Sequence, residues 1–291
     1  MDHRRRSQYL SYPNLSSQYF PSRWLRAIAA LAIAACLAGC DQGIADQTLP
    51  PTDLDLAGFK RTFSETFEHL DVSAAGPGSR WVAHTPWHGD FGDAAFSDPM
   101  PGFPFETASN ILRIEARKEA DGKWRSGLIA SRDHDGPGGS GFAQKFGYFE
   151  MDAKLPPGPG VWPAFWLVGI TPAPRAEIDV FEYYGVAPDT FHANVHVWAE
   201  DEHKFGDGKI VDMPAGSATG SFNKYGVLIE AEWVTFYLNR KQVWRTPTRP
   251  EFKQPMYMLA NLALGSGWPI DKTPNPSFLY IRSIAAYERR A

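Results

Sequence analysis

The segment from residue 177 to residue 182 reads Glu177-Ile178-Asp179-Val180-Phe181-Glu182 and holds three acids among β-branched and aromatic residues. Such apolar neighbours are typical of a β-strand. Acids that share one face of a strand repel each other, so folding alone disfavours them. An edge strand whose acids discourage aggregation is the alternative interpretation. Because the three acids closely follow a Trp-rich strand, the pattern favours a catalytic site.

The spacing of the acids predicts a local irregularity in this strand. Side chains of a regular strand alternate between two faces, so Glu177 and Asp179 share a face that Glu182 does not. One extra residue at 180–181, a β-bulge, returns Glu182 to the face of the other two acids. Ile178 and the bulged apolar pair then face the core. Retaining glycoside cleavage requires two carboxyl groups about 5–5.5 Å apart, which such a strand can supply if it curves.

Strand-like runs recur along the rest of the chain, separated by clusters of Pro, Gly, Asn and Asp. They include residues 111–116, 149–155, 192–198, 225–230, 233–238 and 257–263. Since no long segment has a sustained helical period, we predict an all-β sandwich. The Gly-rich loop at 135–141 separates strands and is not a phosphate loop, because no helix with a lysine follows it.

Further motifs accompany the acid segment in a specific order. They are Ser126-Gly127-Leu128-Ile129, Phe146-Gly147-Tyr148-Phe149-Glu150-Met151, Trp162-Pro163-Ala164-Phe165-Trp166-Leu167, Tyr225-Gly226, Asn261-Leu262-Ala263 and Trp268-Pro269. Together they resemble glycoside hydrolase family 16, which includes laminarinases, agarases, carrageenases and bacterial exopolysaccharide depolymerases. The resemblance covers residues 63 to 287. It implies a concanavalin A-like jelly-roll β-sandwich with a concave substrate cleft, with Glu177 as nucleophile, Asp179 as assisting acid and Glu182 as general acid/base.

The predicted activity follows from the acids and the resemblance together. We expect an endo-acting retaining β-glycosidase that hydrolyses a polysaccharide, either a β-glucan or a bacterial exopolysaccharide, by double displacement. A transglycosylase on the same scaffold would use the same acids and is one alternative. A non-catalytic glycan-binding sandwich is the other, although binding alone has no need of a matched carboxylate pair.

Aromatic and imidazole side chains are the candidate substrate contacts. Aromatic rings pack on the CH-rich faces of sugars, and we predict this role for Trp162, Trp166 and Trp268, with burial in the core as the alternative. His192 and His196 share one strand face directly after the acids, and we predict contact with substrate or with the acids, packing being the alternative. Two histidines lack the further ligands of a zinc site, so we predict no metal site.

The net charge of the chain and one departure from the family's sequence pattern limit which partners and cofactors are expected. The chain has a formal net charge of −4, and since residues before Cys40 carry +4, the remainder carries −8. Its basic residues form no stripe, which argues against nucleic acid and leaves a polysaccharide as the expected partner of a monomer. Arg282 stands where many family members have an Asp that helps to bind a structural calcium ion. A cation there disfavours calcium, so no cofactor is predicted.

The N-terminus predicts secretion. Arg23 and Arg26 precede an apolar stretch at 27–38 that is too short to span a bilayer permanently, as in a signal peptide. Its ending, Leu37-Ala38-Gly39-Cys40, resembles a bacterial lipoprotein signal, which implies cleavage before Cys40 and lipidation of that residue; an ordinary signal peptide is the alternative. The predicted organisation is a signal at 1–39, a tether at 40–56 and a hydrolase domain at 57–291. We therefore expect a lipid-anchored protein of the bacterial cell envelope, facing the periplasm or the cell surface.

Overall fold

The computed structural model describes residues 53–86, 89–133, 139–199 and 202–290. The predicted signal, the lipidation site Cys40 and most of the predicted tether lie outside these residues. The end of that tether, however, lies against the domain, since the backbone N–H of Leu54 donates to the carbonyl of Arg240 at 2.8 Å. Within the described residues, no helix has the length and apolar character needed to cross a membrane.

Strands dominate the described chain. In chain order they are β1 (Phe59–Glu65), β2 (Val72–Ser73), β3 (Trp81–Val82), β4 (Ala94–Phe96), β5 (Phe105–Ala108), β6 (Ile111–Lys118), β7 (Trp124–Ser126), β8 (Leu128–Ala130), β9 (Gly147–Lys154), β10 (Val161–Gly169), β11 (Arg175–Glu182), β12 (Thr190–Ala199), β13 (Glu202–Asp212), β14 (Asn223–Ile229), β15 (Trp233–Leu238), β16 (Lys241–Pro247), β17 (Met256–Leu264) and β18 (Ser277–Arg289). The helical segments are one turn of α-helix, α1 (Ser217–Gly220), and two 3-10 turns, Leu56–Gly58 and Pro250–Phe252. The prediction of an all-β protein is confirmed.

The strands form two sheets that pack as a sandwich. One sheet has eight strands in the order β13-β12-β11-β10-β17-β8-β3-β2. The other has ten strands in the order β16-β15-β14-β9-β18-β6-β7-β4, with β1 added beside β18 and β5 beside β6. Pairing is antiparallel except for β2 with β3 and β4 with β7. The acid strand β11 lies between β10 and β12 in the eight-stranded sheet.

Strand β10 shows how the sequence assigns side chains to the two sides of the eight-stranded sheet. Val161, Phe165 and Leu167 belong to the main core between the sheets. Trp162 and Trp166, at the alternate positions, belong to a separate apolar cluster. Because strand side chains alternate in this way, a continuously apolar strand can fill the core and also line the opposite face.

The predicted bulge in β11 is confirmed. Asp179 pairs with Asn194 and Glu182 pairs with His192, so three steps along β11 correspond to two steps along β12. Ile178, Val180 and Phe181 all belong to the main core. The extra residue therefore keeps the apolar side chains inside and leaves the acids on the other side of the sheet, as the spacing predicts.

A second group of acids lies on the outer side of the ten-stranded sheet, and we call it the outer ion cluster: Glu150, Asp152, Lys224, Arg240 and Arg282. Arg240 donates from Nε and Nη2 to the two carboxylate oxygens of Glu150, at 2.8 and 2.9 Å. Lys224 Nζ lies 2.9 Å from Asp152, and Arg282 Nη1 lies 3.4 Å from the same carboxylate. Each buried carboxylate here is thus held by permanent cations of the chain.

Candidate active site

The outward face of β11 and its neighbours forms a compact polar patch, which we call the acid face. Across the pairing with β12, Glu177 lies opposite His196 and Asp179 opposite Asn194. Asp179 is buried, whereas Glu177 and Glu182 are half-buried. The structure therefore brings the three acids predicted to be catalytic together with both predicted histidines, since Glu182 lies opposite His192.

Three neutral donors converge on Glu182. Trp162 donates its indole N–H to Oε1 at 3.0 Å, and the Tyr184 hydroxyl lies 3.2 Å from the same oxygen. Asn194 donates its amide to Oε2 at 2.8 Å. These bonds fix the orientation of the carboxyl group without a permanent cation, so its protonation state remains free to change.

Asp179 is held by an imidazole. His196 Nε2 lies 3.3 Å from Oδ2 of Asp179, and His196 Nδ1 lies 3.0 Å from Nε2 of His203 on β13. Ligand-type atoms of Glu177, Asp179 and His196 lie within 4.8 Å of one another. The three groups lie close enough for their ionisations to be linked, and the prediction of no metal stays a prediction.

The electrostatics of the acid face favour protonated acids. Burial and then the charge of Asp179 raise the pKa of Glu177 to about 7, although His196, Arg175 and a hydrogen bond from Trp198 act in the other direction. Burial and then the charge of Glu182 raise the pKa of Asp179 to about 6. Burial also raises the pKa of Glu182, against the hydrogen bond from Trp162. Such shifts cluster at catalytic sites.

His196 carries the balancing charge. Burial disfavours its charged form, but the hydrogen bond to Asp179 and the negative charges of Asp179, Glu177 and Glu182 outweigh burial and raise the pKa of His196 to about 9. An imidazolium at neutral pH therefore sits beside three carboxyl groups whose pKa values lie above the usual range. The carboxyl groups titrate as a coupled set rather than one by one.

The two predicted stacking residues of β10 lie on the acid face but are largely covered. Trp162 is 5% exposed and Trp166 is 6% exposed. Phe91 lies edge-on to both rings, with centroid distances of 5.4 and 5.8 Å. Trp166 donates its indole N–H to Asn261 at 2.8 Å. The contribution of these rings to the site is packing and hydrogen bonding, and sugar stacking by them stays a prediction.

The other two predicted substrate contacts are at the edges of the acid face. His192 packs edge-on against Tyr184, with ring centroids 5.0 Å apart, and burial lowers its pKa. Trp268 is 43% exposed in the loop after β17, two residues beyond Ser266, which hydrogen-bonds to Tyr184. Trp268 is thus the most accessible of the predicted stacking residues, and binding of substrate by either residue stays a prediction.

Several residues of the site are absent from the sequence-based candidates. Tyr184 carries a usable signal, because it lies two positions beyond Glu182 and therefore shares its face. His203 and Phe91 come from β13 and from the loop before β4, distant in sequence from the acids. Only tertiary pairing brings them to the site, so no local pattern indicates them.

Paired acids on one sheet face, held by neutral donors and shifted to high pKa, define the chemistry of a glycoside hydrolase. Residues 110–278 match the family model described as glycosyl hydrolases family 16. The chain belongs to this family.

Two curated relatives come from Rhizobium meliloti (strain 1021). The endo-1,3-1,4-beta-glycanase EglC is 29% identical over 257 residues, and the endo-1,3-1,4-beta-glycanase ExsH is 31% identical over 258 residues. Each alignment covers 80% of this chain and 53% of the relative. The chain therefore spans about half the length of these curated relatives.

Solved structures agree on the fold. The laminarinase catalytic domain from Thermotoga maritima MSB8 superposes with a TM-score of 0.64 at 20% sequence identity. The match covers 80% of this chain and 99% of that domain. At this level of identity the likeness concerns the fold alone, and it confirms the jelly-roll sandwich predicted from the sequence.

Proposed function

We propose that the chain is an endo-acting retaining β-glycosidase that hydrolyses a β-linked polysaccharide by double displacement. The observation that carries the proposal is the bulge in β11, which leaves Glu177, Asp179 and Glu182 on one face while the apolar residues between them enter the core. Folding does not require three acids on one face, whereas glycoside cleavage requires at least two.

In the proposed first step, a carboxylate oxygen of Glu177 attacks the anomeric carbon while the protonated carboxyl of Glu182 gives its proton to the departing glycosidic oxygen. The bond from carbon to the leaving oxygen breaks, and a glycosyl ester of Glu177 forms. In the second step, ionised Glu182 takes a proton from water, and the resulting hydroxide displaces Glu177 from the sugar. One water is consumed for each bond cleaved, and both carboxyl groups return to their starting forms.

Asp179 has the proposed role of holding a proton for Glu177. Because the two groups are buried together, their ionisations compete, and the one that keeps the proton lets the other ionise. The first step needs Glu177 as the carboxylate, and a proton on Asp179 favours that form because it removes the neighbouring negative charge that raises the pKa of Glu177. The His196 imidazolium supports the ionised form of either group through its charge.

The names of the curated relatives support a β-1,3-1,4-linked glycan as the substrate. The test is a panel of defined polysaccharides that contains mixed-linkage β-glucan, linear β-1,3-glucan, linear β-1,4-glucan and a galactan. We expect a rapid fall in viscosity of the mixed-linkage glucan with oligosaccharide products, which is the mark of endo-cleavage. In a parallel reaction with oligosaccharides added as acceptors, products longer than those oligosaccharides would instead identify a transglycosylase. Binding without any product would identify a glycan-binding protein and overturn the proposal.

Cellular location and metal content are also proposals. The lipoprotein-like signal that ends at Cys40 supports a lipid anchor in the bacterial envelope, and burial of acyl chains would supply the anchoring energy. Cys40→Ser should then move the protein from the membrane fraction to the soluble fraction.

In the outer ion cluster, Lys224 and Arg282 already neutralise Asp152, which supports a protein without calcium. Dialysis against a chelator should accordingly leave activity and melting temperature unchanged.

A further inference from the structure

His203 is the point at which the edge strand β13 contacts the acid face. Its Nε2 lies 3.0 Å from Nδ1 of His196, whose Nε2 lies 3.3 Å from Asp179. A line of polar contacts therefore runs from the sheet edge to the buried acid. Building on the proposed hydrolase function, we propose that His203 is a positioning residue that holds His196 in the orientation in which it supports Asp179.

Three features of the neighbouring strands build this contact. The register between β12 and β13 shifts at Val197 and Trp198, so that Trp198 pairs with His203. The two rings then pack with centroids 4.6 Å apart. Gly206 pairs with His196, and a Cβ at this glycine would lie 2.7 Å from His203 Cε1 and 3.2 Å from His196 Nδ1. A Cβ here would have to displace the His203 ring, so the glycine leaves room for the two imidazoles to meet.

Trp198 gives His203 a second connection to the acids. The indole of Trp198 lowers the pKa of Glu177 and lies beside His196, with ring centroids 5.7 Å apart. His203 packs on this indole and bonds to the imidazole next to it. Its side chain thus fixes two of the groups that contact Glu177 and Asp179.

The proton arrangement follows from the charges around the pair. His196 as an imidazolium donates from both nitrogens, to Asp179 and to His203, so His203 must be neutral and accept at Nε2. Burial and then the charge of His196 lower the pKa of His203, which favours that neutral form. The charged groups that face the pair of His196 and His203 from β11 are Glu177 and Asp179, which lie on the side of His196 opposite to His203.

On β13 itself, the flanking charges are those of Lys204 and Glu202, which form an ion pair with each other. Protonation of His203 would place two imidazolium rings in contact.

The test compares His203→Phe, which keeps a ring on Trp198 but removes the acceptor, with His203→Gln, whose amide oxygen can accept the same bond. We expect kcat of the Phe variant to fall about tenfold on the best polysaccharide, with KM changed by less than about twofold, as for loss of one hydrogen bond to a charged group. The alkaline limb of its pH profile, which reflects loss of the proton of Glu182, should move to higher pH, because loss of the acceptor lowers the pKa of His196 and weakens the positive charge that lowers the pKa of Glu182. The Gln variant should recover most of the activity.

Lys204→Ala, a change at the neighbouring exposed residue, is the matched control and should behave as the wild type. A folded Phe variant with wild-type kcat and pH profile would overturn the proposal, and so would a Gln variant as impaired as the Phe variant.

An NMR titration of the His196 ring nitrogens in the wild type and the Phe variant tests the contact without catalysis. If the wild type cleaved no polysaccharide, the proposed function would fail. The positioning role would then depend on this titration, and an unchanged His196 pKa would overturn it.

Discussion

Strands β9 and β11 carry the same Glu-x-Asp spacing on a side of their sheet that faces away from the core, yet the two pairs have different surroundings. Glu150 and Asp152 on β9 bond to guanidinium and ammonium groups of the outer ion cluster. On β11, Asp179 contacts an imidazole instead, and Glu182, the third acid of that strand, accepts hydrogen bonds from an indole, an amide and a phenol. Neither the spacing nor burial therefore distinguishes a structural pair of acids from a reactive one.

The kind of counter-group distinguishes them. A permanent cation binds a carboxylate through charge and does not itself exchange a proton at ordinary pH, which suits a structural role. Neutral donors and an imidazole orient a carboxyl group while leaving it able to gain or lose a proton. On the acid face, burial and the neighbouring acids therefore dominate and raise the pKa values of Glu177 and Asp179.

The largest expected difference between the two strands is in catalysis. Glu177→Gln keeps the shape of the side chain and removes the nucleophile, so kcat should fall by about 10⁴-fold or more while the protein stays folded. Glu150→Gln is the matched control on β9 and should leave kcat per folded molecule unchanged. Hydrolysis assays and thermal melting of both variants check this. Wild-type turnover in folded Glu177→Gln would show that the acid face is not the site of cleavage.

The next prediction separates the two glutamates of the acid face. With substrates that carry an activated aryl leaving group, Glu182→Ala should still form the glycosyl ester at Glu177, and added azide should then yield a β-glycosyl azide. On polysaccharide the same variant should lose about 10²–10⁴-fold in rate, as for removal of a general acid. Glu177→Ala should yield an α-configured azide, because the anion occupies the space of the nucleophile. NMR of the azide products determines their anomeric configuration. The same anomer from both variants would rule out the assigned roles of Glu177 and Glu182.

For the outer ion cluster, the expected effect is on stability. Glu150→Gln leaves Arg240 without its bidentate partner, which should lower the free energy of unfolding by about 1–3 kcal/mol, the loss being limited because Arg240 keeps contact with solvent. Chemical denaturation at neutral pH measures it. Equal stability of the variant and the wild type would mean that the ion pair has no structural role.

The smallest expected effect is a gain in the stability of Glu177→Gln relative to the wild type as the pH rises. The folded-state pKa values of Glu177 and Asp179 lie above their ordinary values, so the stability linked to their protonated forms is full at low pH and is lost as pH rises toward about 7. Gln at position 177 does not titrate.

The melting temperature of Glu177→Gln relative to the wild type should therefore rise by about 2–4 °C, or about 1 kcal/mol, between pH 5 and pH 8. Melting curves at the two pH values provide the measurement. A difference that shrinks over this range would contradict the raised pKa of Glu177.

The fold, the acid face and the bulge could be predicted because they depend on local alternation. The alternation of Glu177, Ile178 and Asp179 in β11, and the change in alternation between Asp179 and Glu182, are visible in the chain itself. The Glu150-x-Asp152 pair in β9 has the same spacing, but no third acid follows it at a position that would require a bulge. The sequence therefore predicts part of the difference between the acids of β9 and the acids of β11.

Other parts of the site depend on tertiary contacts that no local pattern encodes. Strand β13 is polar and contains Gly206 and Gly208, so it lacks the apolar alternation of a strand, and His203 reaches the acids only through pairing with β12. In the same way, a ring from a distant loop, that of Phe91, covers Trp162 and Trp166. The sequence predicts which side of the sheet these tryptophans face but not how much of them is exposed.

The bulge in β11 has a consequence for how the length of this segment can vary during evolution. Removal of Val180 would leave Glu177, Asp179 and Glu182 at strictly alternate positions, so the acids would remain on one face at the cost of one core side chain. Removal of Ile178 would make Glu177 and Asp179 adjacent and send them to opposite faces. Natural shortening of this strand should therefore occur between the second and third acids and not between the first and second.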